Sequence, residues 1–220
     1  KIDYKCFEFM QNLTRIVMST NLKEIGWNCF CELPSLREVE IPDSVTEIGI
    51  MAFTWCRGLT SINIPNSVTE IGERAFYRCI NWTEGVLPDS LVTICEDGFD
   101  NLRSLKNITL PKNLRTIGYG AFGECVALES IVLPDSVTDV EGGTFSNCSN
   151  LKYAKLSAGM KTVPGSMFAG DSKLETVILP EGITYIDDSA FYQCGLESFT
   201  FPASLNEIGV QIFGSCTKLR

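Results

Sequence analysis

The chain has 220 residues, of which 45% are hydrophobic and 20% are charged, enough to bury a core in one or two domains and unlike a disordered or collagen-like chain. A net charge of −9 argues against a nucleic-acid-binding surface, which needs clustered positive charge. The absence of histidine excludes Ser-His-Asp, Cys-His and histidine-metal chemistry within this chain.

A repeat of 23 residues organises the chain. The segment 36–49 returns as 59–72 with the same spacing of its apolar, proline, serine and glycine positions. The consensus unit reads L-x-x-I-x-I-P-x-S-V-T-x-I-G-x-x-A-F-x-x-C-x-x. Complete units begin at Leu13, Leu36, Leu59, Trp82, Leu105, Leu128, Leu151, Leu174 and Leu196.

These units predict a single solenoid domain over residues 1–220. Residues 1–12 fit the second half of a unit, complete units fill residues 13–218, and Leu219 opens another unit. Neither end carries a polar capping repeat, so we interpret the chain as a fragment of a longer array. Residues 1–30 lack a signal-peptide pattern, and no apolar run approaches the roughly 18 to 20 residues of a membrane span, so no membrane insertion is expected.

The first half of each unit predicts a short strand. Its fourth and sixth positions are apolar, as in Ile108 and Leu110, and alternation places both side chains on one face of the strand. One strand cannot bury that face alone, so we expect the units to stack in parallel around a continuous core. The following proline, such as Pro111, has no N–H to donate and begins a turn.

The second half of each unit adds a second apolar pair, such as Val68 and Ile71, and then a segment predicted to form one helical or 3-10 turn. Its phenylalanine recurs in every unit and predicts a spine of stacked rings: Phe30, Phe53, Phe76, Phe99, Phe122, Phe145, Phe168, Phe191 and Phe213.

Six cysteines share the position three residues after that phenylalanine: Cys56, Cys79, Cys125, Cys148, Cys194 and Cys216. Repeat packing explains them as buried thiols. Neighbouring thiols would also lie within reach of a disulfide, although parallel side-chain directions fit its dihedral angle poorly. No Cys-x-x-Cys pair occurs, so we predict no metal site and no cofactor.

The signature I-P-x-S-V-T-x-I-G-x-x-A-F-x-x-C resembles the leucine-rich repeats of BspA-like surface proteins, the type also described from Treponema. The resemblance covers nearly the whole chain. It implies a right-handed, mostly β leucine-rich repeat solenoid with parallel strands on its concave face. It further implies a cell-surface or extracellular protein of gut or oral bacteria, or of mucosal protists, that acts in adhesion.

Positions two, three and five of each unit point outward from the first strand and are free to contact a ligand. The unit 151–173 departs most from the consensus, with Ser157, Pro164 and Asp171 in place of proline, glycine and cysteine. Its outward residues make a basic aromatic spot, and we predict Tyr153 as an anchor because interface centres favour aromatic residues. The candidate ligand-binding residues are Lys152, Tyr153, Lys155, Arg37, Glu38, Glu40 and Glu84.

Two further features stand out at nonconsensus positions. Four residues around the helical turns of successive units could form an exposed apolar patch, although packing at the edge of the coils explains them equally well: Trp27, Ile50, Trp55 and Tyr77. In unit 82–104, Gly85 occupies the inward isoleucine position beside the larger Trp82, which we interpret as volume compensation.

The leading hypothesis is a non-enzymatic interaction or adhesion module that binds a protein or glycan of a host or neighbouring cell through its concave face. Such an extended, mixed surface suits a macromolecule better than a small ligand. The alternative is a structural spacer or stalk with no ligand of its own. A solvated sheet face with no binding role fits the same outward residues.

Overall fold

In the computed structural model, which describes residues 1–7 and 10–220, each repeat forms one coil of a parallel β-solenoid. A regular coil consists of a first strand of three residues, a second strand of two residues and a turn segment that leads to the next coil; coils 59–81 and 196–218 have the second strand but no three-residue first strand. The described residues contain no helix. The predicted partial unit 1–12 includes residues 8–9, which lie outside the described part of the chain.

The first strands run parallel to one another, and wherever two of them pair, each residue is aligned with the same repeat position one coil later. Ile131 is aligned with Ala154, for example, and both side chains are buried while their neighbours along the strand point outward. This confirms the predicted inward fourth position. Numbered along the chain, these strands are β1 (Arg15–Val17), β3 (Glu38–Glu40), β6 (Glu84–Val86), β8 (Asn107–Thr109), β10 (Ser130–Val132), β12 (Tyr153–Lys155) and β14 (Thr176–Ile178).

The second strands form two parallel sheets, one of six strands and one of three. The first comprises β2 (Glu24–Ile25), β4 (Glu47–Ile48), β5 (Glu70–Ile71), β7 (Thr93–Ile94), β9 (Thr116–Ile117) and β11 (Asp139–Val140). The second comprises β13 (Thr162–Val163), β15 (Tyr185–Ile186) and β16 (Glu207–Ile208).

Pro164 lies at the break between these two sheets and removes one bond of the ladder. In a regular coil the residue at this position donates its N–H to the preceding coil, as Gly118 does to the carbonyl oxygen of Ile94 at 2.8 Å. Proline has no N–H, so the corresponding bond to Val140 cannot form. Among the described residues, Lys161 and Thr162 also donate no N–H to Thr138, whereas Thr138 and Asp139 both donate to the carbonyl oxygen of Arg115 in the coil before. The ladder stops at β11 and resumes at β13.

The turn segment is not helical, which corrects the predicted helical or 3-10 turn. In coil 59–81, Arg74 and Arg78 have positive φ angles of 52° and 59°. The N–H groups of Arg74 and Phe76 donate to the next coil at 2.9 Å, whereas Ala75 between them donates to Gly72 in its own coil at 3.1 Å. A helix would use all these donors internally. Here alternate N–H groups instead donate to the next coil, and these hydrogen bonds join neighbouring coils.

The phenylalanine spine is present as predicted. Successive rings stack from Phe7 to Phe213, with centroids 4.9–5.8 Å apart. Behind the rings, each cysteine of the repeated column donates its thiol to the phenylalanine carbonyl oxygen one coil earlier, as Cys56 does to Phe30 at 2.9 Å. Burial raises the pKa of Cys56 to about 12. These are buried or partly buried free thiols, which confirms the thiol interpretation.

Trp82 and Gly85 compensate for each other, as the sequence indicates. Trp82 is 2% exposed and packs edge-on against Phe76 and Phe99. A side-chain carbon added to Gly85 would lie 3.0 Å from Trp82 Nε1. The indole therefore occupies space that an isoleucine would fill in a regular coil, and its N–H donates to the carbonyl oxygen of Glu84 at 2.8 Å.

Candidate functional site

The outward side chains at positions two, three and five of the repeats make up the first-strand face. Hydrogen bonding divides this face into the strand groups β1-β3, β6-β8 and β10-β12-β14. Between the first two groups, coil 59–81 contributes only a single bridge from Asn63 to Glu40. The group β10-β12-β14 is the widest continuous part of the first-strand face, and it carries Tyr153 at its centre.

Tyr153 is half-buried and lies between Ser130 and Thr176 on the neighbouring strands. Two residues further along the same strands, Lys155 lies between Val132 and Ile178, whose side chains are 51% and 43% exposed. The aromatic ring and the lysine thus share a strand with exposed apolar side chains on both sides. Sequence analysis places Val132 and Ile178 outward but does not select them; their β-branched apolar character was the available signal.

Lys152 has acidic neighbours in both adjacent coils. Its N–H donates to the carbonyl oxygen of Glu129 at 2.9 Å, and its own carbonyl oxygen accepts from the N–H of Glu175 at 3.0 Å. All three residues are exposed at the second repeat position. Lys152 is thus aligned with an acidic residue on each side, whereas Lys155 is aligned with apolar residues.

The other predicted ligand-binding residues lie on the preceding parts of the first-strand face. Glu38 and Glu40 project together, as expected, and both contact Arg15: Nε lies 3.3 Å from Glu38 Oε2, and Nη2 lies 2.5 Å from Glu40 Oε1. These exposed pairs contribute little stability. Arg37 is exposed, and Glu84 borders a shallow depression beside Gly85.

The structure separates the predicted apolar patch into two pairs at opposite ends of the turn segments. Trp27 is 52% exposed and stacks on Tyr4, with ring centroids 4.7 Å apart; Ile50 occupies the same repeat position one coil later. Trp55 and Tyr77 lie beyond the buried residues 52–54. In coil 36–58 three consecutive buried residues, 52–54, thus lie between Ile50 and Trp55.

Two arginine side chains pack over the Trp55 ring. The guanidinium carbons of Arg57 and Arg78 lie 4.5 Å and 4.8 Å from its ring centroid, and Arg78 is also 5.3 Å from the ring centroid of Tyr77. Cation–π contacts of this kind are worth roughly 0.5–1 kcal/mol at exposed sites. The sequence shows these residues but gives no sign that they meet.

Two carboxyl groups in the turn segments have raised pKa values. Asp171 takes the cysteine position and is fully buried, and both of its carboxylate oxygens lack a hydrogen-bond partner among the described residues. Burial raises the pKa of Asp171 well above its ordinary value. Burial, followed by the charges of Asp97 and Glu124, raises the pKa of Asp100 to about 7.

The described residues contain no cluster of three or more cysteine or carboxylate side chains arranged to hold a metal ion. Within residues 1–7 and 10–220, no helix is long and apolar enough to cross a membrane.

Solved structures with similar folds come from bacterial leucine-rich repeat proteins. The T. pallidum leucine-rich repeat protein has 30% sequence identity and a TM-score of 0.66, covering 80% of this chain and 72% of its own. A leucine-rich cell surface protein from Faecalibacterium prausnitzii has 28% identity and a TM-score of 0.55, covering 100% and 75%. A Bacteroides ovatus leucine-rich repeat protein, at 23% identity, TM-score 0.54 and coverages of 100% and 81%, shows the fold alone. No curated protein matches the sequence.

The protein-family model that describes the BspA type leucine-rich repeat region matches residues 1–108 and 92–220. Together these segments span the whole chain, and the stacked coils show the parallel solenoid that the repeat predicts. Proteins of this type and fold are typically non-enzymatic interaction modules. The chain belongs to the family of BspA-type leucine-rich repeat proteins.

Proposed function

We propose that this chain is a non-enzymatic adhesion module that binds macromolecules of a host or neighbouring cell through its first-strand face. The observation that carries the proposal is the arrangement on β10-β12-β14, where Tyr153 and Lys155 lie among the exposed side chains of Val132 and Ile178. Aromatic and apolar residues at the centre with polar residues at the rim are typical of protein interfaces. The likeness to a cell surface protein supports an extracellular or cell-surface location.

The test is biolayer interferometry of the monomeric chain against immobilised fibronectin, fibrinogen, laminin and mucin. In the variant Tyr153→Ala/Lys155→Glu, we expect saturable binding to weaken about 30-fold, the loss typical of an interface hot spot of about 2 kcal/mol. Both side chains lie outside the core, so the melting temperature of the variant should change little.

A matched control is the variant Asn107→Ala/Lys161→Glu. It makes the same change of charge within coil 151–173, but Lys161 precedes the second strand β13, away from the first-strand face. Asn107 lies on that face two coils before Tyr153. Unchanged binding of the control, with lost binding of the test variant, places the ligand at Tyr153. Equal losses in both variants would contradict that placement.

The alternative function is a spacer that holds other parts of a larger protein apart. The unbroken stack of phenylalanine rings favours a stiff rod whether or not its surface binds anything. A spacer predicts no saturable binding to any member of the panel. Such a result, obtained with folded monomeric protein, would overturn the adhesion proposal in favour of the spacer.

A further inference from the structure

A polar groove runs along the edge where the turn segments lead into the first strands of coils 36–58, 59–81 and 82–104. We call it the arginine groove and define it by its charged, amide and hydroxyl side chains: Arg37, Arg57, Thr60, Asn81, Thr83 and Ser104. It lies at repeat positions two, twenty-two and twenty-three, and the predicted anchor Tyr153 is three coils from its nearest coil.

The arginines of this groove lack acidic partners. Across the described residues, neither Arg37 nor Arg57 has a carboxylate within ion-pair distance. Three arginines outside the groove are paired: Arg15 contacts Glu38 and Glu40, Arg74 contacts three carboxylates, and Arg103 contacts Glu124. What distinguishes Arg37 and Arg57 is that they line one groove whose lining contains no carboxylate among the described residues. In a chain of net charge −9, unpaired guanidinium groups gathered in one groove form a local positive site for an anion.

The Arg57 guanidinium group of the groove is partly held in place by its surroundings. Arg57 and Arg78 both pack on the Trp55 ring, and the Nε of Arg78 is buried without a hydrogen-bond partner among the described residues. Glu38, the residue next to Arg37, has its carboxylate engaged by Arg15. Restricting the Arg57 guanidinium group before binding reduces the conformational entropy that it loses when it engages a ligand.

The remaining lining favours a polyhydroxylated ligand over a peptide. Thr60, Thr83 and Ser104 supply hydroxyl groups that both donate and accept hydrogen bonds. The Asn81 Nδ2 donates to the carbonyl oxygen of Arg57 at 2.7 Å, which leaves the amide oxygen as an acceptor. The lining contains no aromatic or large aliphatic side chain to anchor a peptide.

We propose that the arginine groove binds an acidic polysaccharide. Its carboxylate or sulfate groups engage Arg37 and Arg57, because the planar guanidinium matches these anions with two parallel hydrogen bonds. Its hydroxyl groups engage the threonine, serine and asparagine side chains. Arg37, Thr60 and Thr83 are position-two residues of the first-strand face, so the groove adjoins that face, but it lies three coils from Tyr153 and shares no residue with the site there. Variants at Tyr153 and Lys155 and variants at Arg37 and Arg57 therefore test the two proposals separately.

The test uses biolayer interferometry with immobilised heparin and hyaluronan, with dextran as the uncharged control and poly-glutamate as the acidic peptide control. We expect binding to at least one of the two acidic polysaccharides, weakened by added salt because the contact is largely ionic. Dextran should not bind, and poly-glutamate should bind at least about tenfold more weakly. Equal or stronger binding of poly-glutamate, or no binding of either acidic polysaccharide, would overturn the proposal.

The variant Arg37→Gln/Arg57→Gln should bind the polysaccharide at least about tenfold more weakly, as expected for losing charge-assisted hydrogen bonds. The control Arg115→Gln/Lys161→Gln removes the same charge from exposed positions that precede the second strands. It should bind within about twofold of the parent chain. Equal weakening in both variants would mean that only net charge matters, which would contradict a defined groove.

Arg37→Gln alone provides a variant that disturbs no aromatic contact. It should retain the parent melting temperature and still weaken polysaccharide binding several-fold. In the variant Tyr153→Ala/Lys155→Glu, added salt should weaken polysaccharide binding as it does in the parent chain. This variant should also still bind the acidic polysaccharide more tightly than poly-glutamate. If Arg37→Gln binds like the parent chain, Arg37 has no part in recognition and the groove as defined is wrong.

Discussion

Coils 105–127 and 151–173 both have a first strand of three residues and a second strand of two, but they differ in the residues that support these strands. The regular coil has Gly118, whose N–H continues the ladder, and Cys125, whose thiol donates to the carbonyl oxygen of Phe99 at 3.4 Å. The irregular coil has Pro164, which cannot donate, and Asp171, whose buried carboxylate has no partner in the described structure. The stacked rings continue through both coils.

One change in the irregular coil is compensated. Regular coils carry a serine two residues after the proline, and Ser136 donates its hydroxyl to the carbonyl oxygen of Leu114 at 2.7 Å. Coil 151–173 has Ser157 at the proline position itself, and its hydroxyl donates to the carbonyl oxygen of Val137 at 2.6 Å. The comparison teaches that a coil tolerates sequence drift where another donor fills the same role. Asp171 and Pro164 have no such replacement.

The substitutions with the largest expected effect test whether the phenylalanine spine stabilises the regular and the irregular coil equally. Phe122→Ala and Phe168→Ala each remove a ring stacked between two others, so each should lower the free energy of unfolding by about 3–5 kcal/mol. Urea unfolding monitored by circular dichroism measures the change. Exposed Tyr119→Ala is the control and should cost less than about 0.5 kcal/mol. A cost below about 1 kcal/mol for Phe168→Ala would show that the irregular coil does not depend on the spine.

The next effect concerns Asp171. Asp171→Cys should raise the free energy of unfolding at pH 7 by about 1–3 kcal/mol, because it removes an unsatisfied buried carboxyl group and supplies a thiol for the carbonyl oxygen of Phe145. The raised pKa of Asp171 means that the folded chain retains a proton that the unfolded chain releases above about pH 4. The stability that protonation of Asp171 contributes is therefore complete below about pH 4 and is lost as the pH rises through the pKa of Asp171 in the folded chain.

The gain from Asp171→Cys should accordingly be larger at pH 7 than at pH 4 in parallel denaturant titrations. Ser172→Ala, at the exposed residue next to Asp171, changes no ionisable group and provides a control whose difference from the parent chain should be the same at both pH values. A gain that is the same at both pH values would contradict the raised pKa of Asp171.

The smallest effect concerns the gap in the second-strand ladder. Pro164→Ala restores an N–H that can donate to Val140, while the unfolded chain gains conformational freedom, so the net stability should change by less than about 1 kcal/mol. Hydrogen exchange should nevertheless show a protected amide at residue 164. Rapid exchange there, alongside slow exchange at Gly118, would mean that β11 and β13 are too far apart to pair.

Much of the fold could be predicted from the repeat, because the residue at a given repeat position packs against the same kind of neighbours in every coil. The inward Ile131, the phenylalanine spine and the replacement of bulk at Gly85 by Trp82 all follow from apolar spacing and side-chain volume. The turn segment could not be predicted in the same way. Its alternating hydrogen bonds depend on left-handed residues such as Arg74, a conformation that side-chain type does not reveal.

The candidate sites show the same limit. Sequence analysis selected Tyr153 and Lys155, but the exposed Val132 and Ile178 beside them became significant only when parallel register aligned residues 23 positions apart. It also grouped Trp27 with Trp55 because both are aromatic at nonconsensus positions. The structure separates them, since residues 52–54 turn inward between the two ends of the segment.

The sequence by itself determined the repeat length, the inward columns and hence the stacked solenoid, because periodic apolar residues must be buried together. Tertiary structure decided which charged and aromatic side chains meet. Arg57 and Arg78 lie in different coils and share the Trp55 ring, and Arg37 joins the groove across the coil edge. Such contacts depend on side-chain directions and distances between coils, which a pattern of residue types does not contain.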